Sequence, residues 1–117
     1  MLMSLLRKTY HFFVIAGYQA VVLHKITHFF WKKKLNILAS IFSRINRTLT
    51  GIEIEPGAKL SNSVTISHGM GAVIGGDAIL GKNVVVRQNV TIGQNGKSST
   101  DCNGRLHPII EDNVNIG

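Results

Sequence analysis

A chain of 117 residues holds one modest core and not two. Its 44% hydrophobic content, with 12 glycines and only 2 prolines, excludes a disordered chain. The net charge of +7 is unevenly spread: residues 1–50 hold eight Lys/Arg and no acid, whereas residues 51–117 hold five Lys/Arg against six Asp/Glu.

A single cysteine, Cys102, rules out an intrachain disulfide framework and makes a reducing, cytoplasmic setting the expectation. The opening "MLMSLLRKTYHFFVIAGYQAVVL" has a basic start and an apolar stretch, but no small-residue cleavage site follows, so no signal peptide is expected.

Residues 1–50 read as a basic amphipathic helical segment. From His11 onward apolar residues recur at threes and fours, with only Gly17 interrupting. The apolar stretch Phe12 to Leu23 falls well short of the roughly twenty residues a bilayer span needs. Extending it to Trp31 brings in His24, Lys25 and His28, which are costly at mid-membrane. A second amphipathic helix is expected from Leu35 to about Leu49, with Ile37, Leu38, Ile41, Phe42 and Ile45 on one stripe. Two readings of this segment stand side by side. Either the acid-free face with "WKKK" makes peripheral contact with an anionic membrane, or the helices pack on the rest of the protein or on a second subunit. No nucleic-acid-binding motif accompanies the charge, so no nucleic-acid partner is expected.

Residues 51–117 keep a six-residue period. Ile54, Leu60 and Ile66 are six apart, as are Ile74, Leu80, Val86 and Ile92, and again Ile110 and Ile116. Ala58, Val64, Met70, Ala78, Val84, Val90 and Val114, four positions beyond members of that series, are expected to fill a second inward row. Neither a helix nor simple alternation has this period; it predicts a parallel β-helix of triangular coils, with tight corners at "GKN", "RQN" and "EDN". Two interruptions break the rhythm. Between Ile66 and Ile74 the step is eight, which adds two residues beside His68. Between Ile92 and Ile110 lies "GQNGKSSTDCNGRLHP", expected to leave the scaffold as a loop and ending beside His107.

Each interruption contains one of this segment's two histidines. His68 is the candidate general base, since a neutral imidazole can take the proton of a hydroxyl as its oxygen attacks an electrophile. Glu53, fifteen residues earlier and close to one coil below, is a candidate to lie beneath the ring. On these residues alone a turn histidine and a solvated glutamate fit equally well. His107 and Arg105 are candidates for orienting a substrate. The stretch with Gly93, Gly96 and Lys97 lacks P-loop spacing but offers backbone N–H groups to an acyl carbonyl or a cofactor chain. Cys102 lacks the neighbours of a nucleophile.

"SHGMGAVIG", "VTIGQNGKS" and "HP", in that order, resemble the hexapeptide-repeat acetyltransferases of the serine acetyltransferase type, a group that includes enzymes acetylating surface-polysaccharide sugars. The resemblance covers essentially all of residues 51–117. It implies a left-handed parallel β-helix, an exception to the usual right-handed crossover. It also implies homotrimers or larger assemblies with sites between subunits, acetyl-CoA as co-substrate, no metal, and direct acyl transfer to a hydroxyl. By that resemblance His68 falls on the catalytic base, Glu53 on its supporting acid (normally Asp), and His107 on the second active-site histidine.

Three departures concern the acceptor. Ser67 stands where serine-specific members have Asp before the catalytic histidine. Leu106 stands where they have Arg, with Arg105 one place earlier, and the loop carries the extra "TDCNG". They favour a sugar hydroxyl over L-serine as acceptor. The chain ends at "NVNIG" in mid-repeat, so the β-helix is expected to be incomplete. The alternative to an O-acetyltransferase is a truncated, non-catalytic β-helix protein that trimerises or docks on a membrane.

Overall fold

The computed structural model of the protein describes residues 1–94 and 107–117. Three helices, α1 (Leu2–Val14), α2 (Ala16–Lys32) and α3 (Asn36–Thr50), precede nine two-residue strands among the described residues. These are β1 (Glu53–Ile54), β2 (Lys59–Leu60), β3 (Thr65–Ile66), β4 (Val73–Ile74), β5 (Ile79–Leu80), β6 (Val85–Val86), β7 (Thr91–Ile92), β8 (Ile109–Ile110) and β9 (Asn115–Ile116). They form three parallel sheets, ordered β1-β4-β7, β2-β5-β8 and β3-β6-β9, so each turn of chain visits all three sides of a triangular coil.

The register explains both breaks in the six-residue rhythm. Val73 pairs with Thr91, eighteen positions on, which is the regular coil. Glu53 pairs with Val73, twenty on, because two extra residues sit in the β3–β4 turn. Ile79 pairs with Ile109, thirty on, because twelve extra residues lie between β7 and β8.

The aliphatic residues of the period stack inside. Ile54, Ile74 and Ile92 form one column, Leu60 and Leu80 a second, and Ile66 and Val86 a third, with Ile110 and Ile116 closing the latter two. Each such side chain contributes about 1.5–3 kcal/mol when fully buried. Ala58, Val64, Ala78 and Val84 fill the expected second inward row. Met70 does not. It is 65% exposed and Ala72 is fully buried in its stead, because the two inserted residues shift the inward position two places on. Val114, in the last coil, is also exposed.

The asparagine corners have the expected backbone. Asn83, Asn89 and Asn113 all have φ near +60°, a conformation that asparagine tolerates because its short amide can bond locally. Asn83 also donates from Nδ2 to Asn113 Oδ1 at 3.2 Å, tying successive coils together at the same corner.

The helical segment is broken at Ile15, not at Gly17. Ile15 is extended (φ −103°, ψ 108°) and separates α1 from α2. Gly17 lies inside α2, where its missing side chain lets the helix touch the sheet: a Cβ there would stand 1.8 Å from the Ile66 carbonyl oxygen. Gly51, at φ +72°, stops α3 in a left-handed cap.

α2 and α3 meet each other and the coil through small and polar groups. The buried residues of α3 are Ala39, Ser43, Asn46 and Thr50. Ser43 Oγ donates to the Ile54 carbonyl at 2.9 Å, and Asn46 Nδ2 donates to the Ala20 carbonyl at 3.0 Å. The apolar stripe of α3 therefore faces away from the β-helix: Ile37, Leu38, Ile41, Ile45 and Leu49 are exposed. Phe42 is the exception and stacks on Phe30 of α2 at 5.2 Å between centroids. No helix among the described residues is long and apolar enough to cross a membrane.

Two histidines fasten α2 to the β1–β2 turn. His24 Nε2–H donates to the Ala58 carbonyl and His28 Nδ1–H to the Pro56 carbonyl, both at 2.8 Å. His24 Nδ1 is buried without a partner. Burial lowers its pKa from 6.5 to about 4, partly opposed by the Ala58 bond and assisted by His28. Above pH 6.5 both folded and unfolded chains carry a neutral ring, so His24 adds no pH dependence there. Between pH 6.5 and 4 only the unfolded chain takes up the proton, so stability falls as pH falls, by about 3 kcal/mol in all. Urea unfolding in steps from pH 7.5 to 4 is expected to show this slope, and His24→Gln, which keeps a donor without a titrating ring, is expected to flatten it.

Candidate functional site

The β3–β4 turn is built from three left-handed residues within four positions: His68 (φ 63°), Gly69 (φ 83°) and Gly71 (φ 76°). Ser67 N–H donates to the Val86 carbonyl at 2.8 Å, and Gly69 N–H donates back to the Ser67 carbonyl at 2.7 Å. The chain thus closes tightly around His68. Gly69 is required twice over, for its φ and because a Cβ would stand 2.5 Å from Ile52 Cδ1. Gly71 N–H then donates to the Gly51 carbonyl at 2.9 Å, which fastens the turn to the coil below. His68 is left exposed, with no hydrogen-bond partner among the described residues.

Among the described residues no hydrogen bond joins Glu53 to that ring. The Glu53 carboxylate accepts from Arg47 Nη1 at 2.9 Å. The last turn of α3 brings a permanently charged guanidinium to β1, where it meets the carboxylate in a charge-assisted hydrogen bond. Both side chains are well solvated, so the pair adds little stability.

The carboxylate that does meet a histidine of the repeat segment is Asp77, in the β4–β5 turn. Asp77 Oδ1 lies 2.6 Å from His107 Nδ1 and accepts the His107 backbone N–H at 2.7 Å. The ring lies over Gly75, where a Cβ would come within 2.0 Å of His107 Cδ2 and 2.3 Å of Nε2. The His107 side chain is 14% exposed. Neither Asp77 nor Gly75 stands out in the sequence: Asp77 and His107 are thirty residues apart, and only the twelve-residue insertion puts them one coil from each other. Of the remaining candidates, Gly93 follows β7, and among the described residues a Cβ there would meet Thr91 Cγ2 at 3.3 Å. Gly96, Lys97, Cys102 and Arg105 lie outside the described residues.

His68 and His107 occupy different corners of the triangle. His68 stands between the third and first sheets, and His107 between the first and second. A cavity of about 340 Å³ between α2 and the first coil, lined by His24, Lys25, His28, Leu60 and Ser61 among others, is separate from both. Its histidines are committed to backbone carbonyls. Among the described residues no three His, Cys, Asp or Glu side chains converge as a metal site would require.

No protein-family model matches the chain. It is 42% identical over 101 residues to a serine acetyltransferase of Synechococcus elongatus, and 46% identical over 101 residues to one of Staphylococcus xylosus. The chain is a homologue of the serine acetyltransferases. The alignments cover 86% of it but only 40% and 45% of those two relatives, so it spans less than half their length. Among solved structures, Neisseria gonorrhoeae serine acetyltransferase in complex with serine superposes with a TM-score of 0.81 at 29% identity, covering 93% of this chain and 43% of that one. A serine acetyltransferase in complex with CoA superposes at 0.77 with 25% identity, covering 88% and 40%. The coil is the left-handed parallel β-helix of these enzymes.

Gly75→Ala gives a direct check on the His107 cradle. Its added methyl collides with the ring and not with backbone, so the fold is expected to persist while the imidazole swings off Asp77. A crystal structure of the variant, with β4 and β5 unmoved and the His107 ring displaced, is the expected result.

Proposed function

We propose that the protein is an acetyl-CoA-dependent O-acetyltransferase that acts on a hydroxyl acceptor. The observation that carries this reading is His68 on its built turn, exposed and without a hydrogen-bond partner among the described residues, in a chain homologous to serine acetyltransferases. His68 takes the acceptor hydroxyl proton, the oxygen attacks the thioester carbonyl, the C–S bond breaks, and CoA leaves as the thiolate, which is then protonated. Direct transfer of this kind needs a base, positioning and polarisation of the carbonyl. His107 serves the acceptor side, and the strand end at Gly93, with Gly96 and Lys97 beyond it, serves the acetyl-CoA side.

The site is shared between copies of the chain. His68 and His107 sit at different corners of the β-helix, and a homotrimer or larger assembly brings the first corner of one copy to the second corner of its neighbour. The outward apolar stripe of α3 supports such association. L-serine is the acceptor named by the relatives. Ser67 and Leu106, in place of the charged residues that hold an amino acid's ammonium and carboxylate, favour a sugar hydroxyl.

α1 supports a further contact. Leu2, Leu5, Leu6 and Tyr10 are exposed beside Arg7 and Lys8, a combination suited to the surface of an anionic membrane. Co-sedimentation with vesicles containing phosphatidylserine, weakened by salt and absent with phosphatidylcholine alone, is the expected behaviour; equal binding to both vesicle types would reject it.

The chemistry is tested with His68→Asn. Asparagine fills the other left-handed corners, so thermal unfolding is expected to change little while kcat falls by a factor on the order of 10² to 10⁴. Acetyl-CoA consumption with L-serine and with a panel of sugars identifies the acceptor. Unchanged activity in the variant, or no consumption with any hydroxyl compound, would sink the reading.

A further inference from the structure

We infer that Asp77 is a positioning residue: it holds the His107 imidazole as the Nδ1–H tautomer, so that Nε2 is the hydrogen-bond acceptor presented to the acceptor hydroxyl. The role toward a hydroxyl rests on the acetyl-transfer reading above, whereas the tautomer rests on geometry alone.

The separation of 2.6 Å between His107 Nδ1 and Asp77 Oδ1 requires a proton between them. An ionised carboxylate only accepts, and two lone pairs at that distance would repel. In the neutral ring that proton belongs to Nδ1. The competing arrangement, with Nδ1 accepting from the Asp77 backbone N–H, has a separation of 3.5 Å, at the outer limit for a hydrogen bond.

The carboxylate holds more than the ring. The same Oδ1 accepts the His107 backbone N–H at 2.7 Å, so side chain and main chain are fixed to one oxygen. Gly75 completes the arrangement by leaving room for the Cδ2–Nε2 edge. Ring plane, tautomer and main-chain position are thus set before any substrate arrives. A carboxylate behind an imidazole performs the same service in hydrolytic triads, where it selects the tautomer and steadies the ring without itself exchanging the proton. His68 has no such partner among the described residues, so the two histidines are prepared for different tasks. The exposed one stands open to solvent, and the one against Asp77 is fixed in orientation.

The test uses protein labelled with ¹⁵N-histidine at about pH 8.5, some two units above the ordinary imidazole value, with His107 assigned by its loss in His107→Gln. Long-range ¹H–¹⁵N spectra are expected to show Nδ1 protonated and Nε2 bare in the native protein. Asp77→Ala is expected to move His107 to a majority of the Nε2–H form. In acetyl transfer, Asp77→Ala is expected to lower kcat roughly 10- to 100-fold, the usual loss when an orienting group is removed, with KM for acetyl-CoA changed less than about twofold. Asp77→Asn keeps an acceptor oxygen and is expected to recover part of kcat. A native His107 in the Nε2–H form, or a tautomer unaltered by Asp77→Ala, would overturn the inference. The expected tautomers with no acetyl transfer by the native protein would instead overturn the proposed activity and leave the hold of Asp77 on His107 standing.

Discussion

Everything in this protein depends on the vertical stacking of equivalent aliphatic residues in an eighteen-residue coil. Ile54, Ile74 and Ile92 lie one above another because parallel pairing matches each strand with its equivalent in the next coil. The strands are only two residues long, so no strand is stable by itself. Stability comes from the columns of buried side chains and from the backbone bonds that run from coil to coil. That leaves little freedom along the strands and much at the corners. Corners absorb extra residues without disturbing the columns, provided the chain returns to register.

The functional groups exploit that freedom. Two extra residues at one corner, closed by Gly69 and Gly71, bring His68 out to solvent. Twelve extra residues at another corner bring His107 back over Asp77 and Gly75. The columns on either side continue undisturbed, which is why the same scaffold holds both histidines in defined places. The contrast between them is electrostatic. His107 has a carboxylate at hydrogen-bond distance, while the carboxylate nearest to His68 in sequence logic, Glu53, is held by a permanent cation from α3.

The helices are attached by a different principle. α2 approaches the coil closely through Gly17 and Ala20, and α3 is tied to the coil by Ser43, which donates to the Ile54 carbonyl, and to α2 by Asn46, which donates to the Ala20 carbonyl. Small and polar contacts of this kind allow close packing but hide little apolar surface. The large aliphatic residues of α3 consequently remain outside, available to another surface.

The period of six determined the β-helix, its inward residues and its asparagine corners, because each of these is a local demand repeated many times. The two breaks in that period marked where chemistry was to be sought, and both histidines were legible there. The partners were not. Which carboxylate faces which imidazole depends on how many residues each corner inserts and on where α3 ends, so Asp77 could be matched to His107 only once the thirty-residue register was known. The same holds for Met70, which the period sends inward and the insertion turns out, and for the stripe of α3, whose apolar face is plain in the sequence but whose direction is not. Periodicity reports which residues share a face; only tertiary contact decides what that face meets, because that choice is made by groups distant along the chain competing for the same space and the same hydrogen bonds.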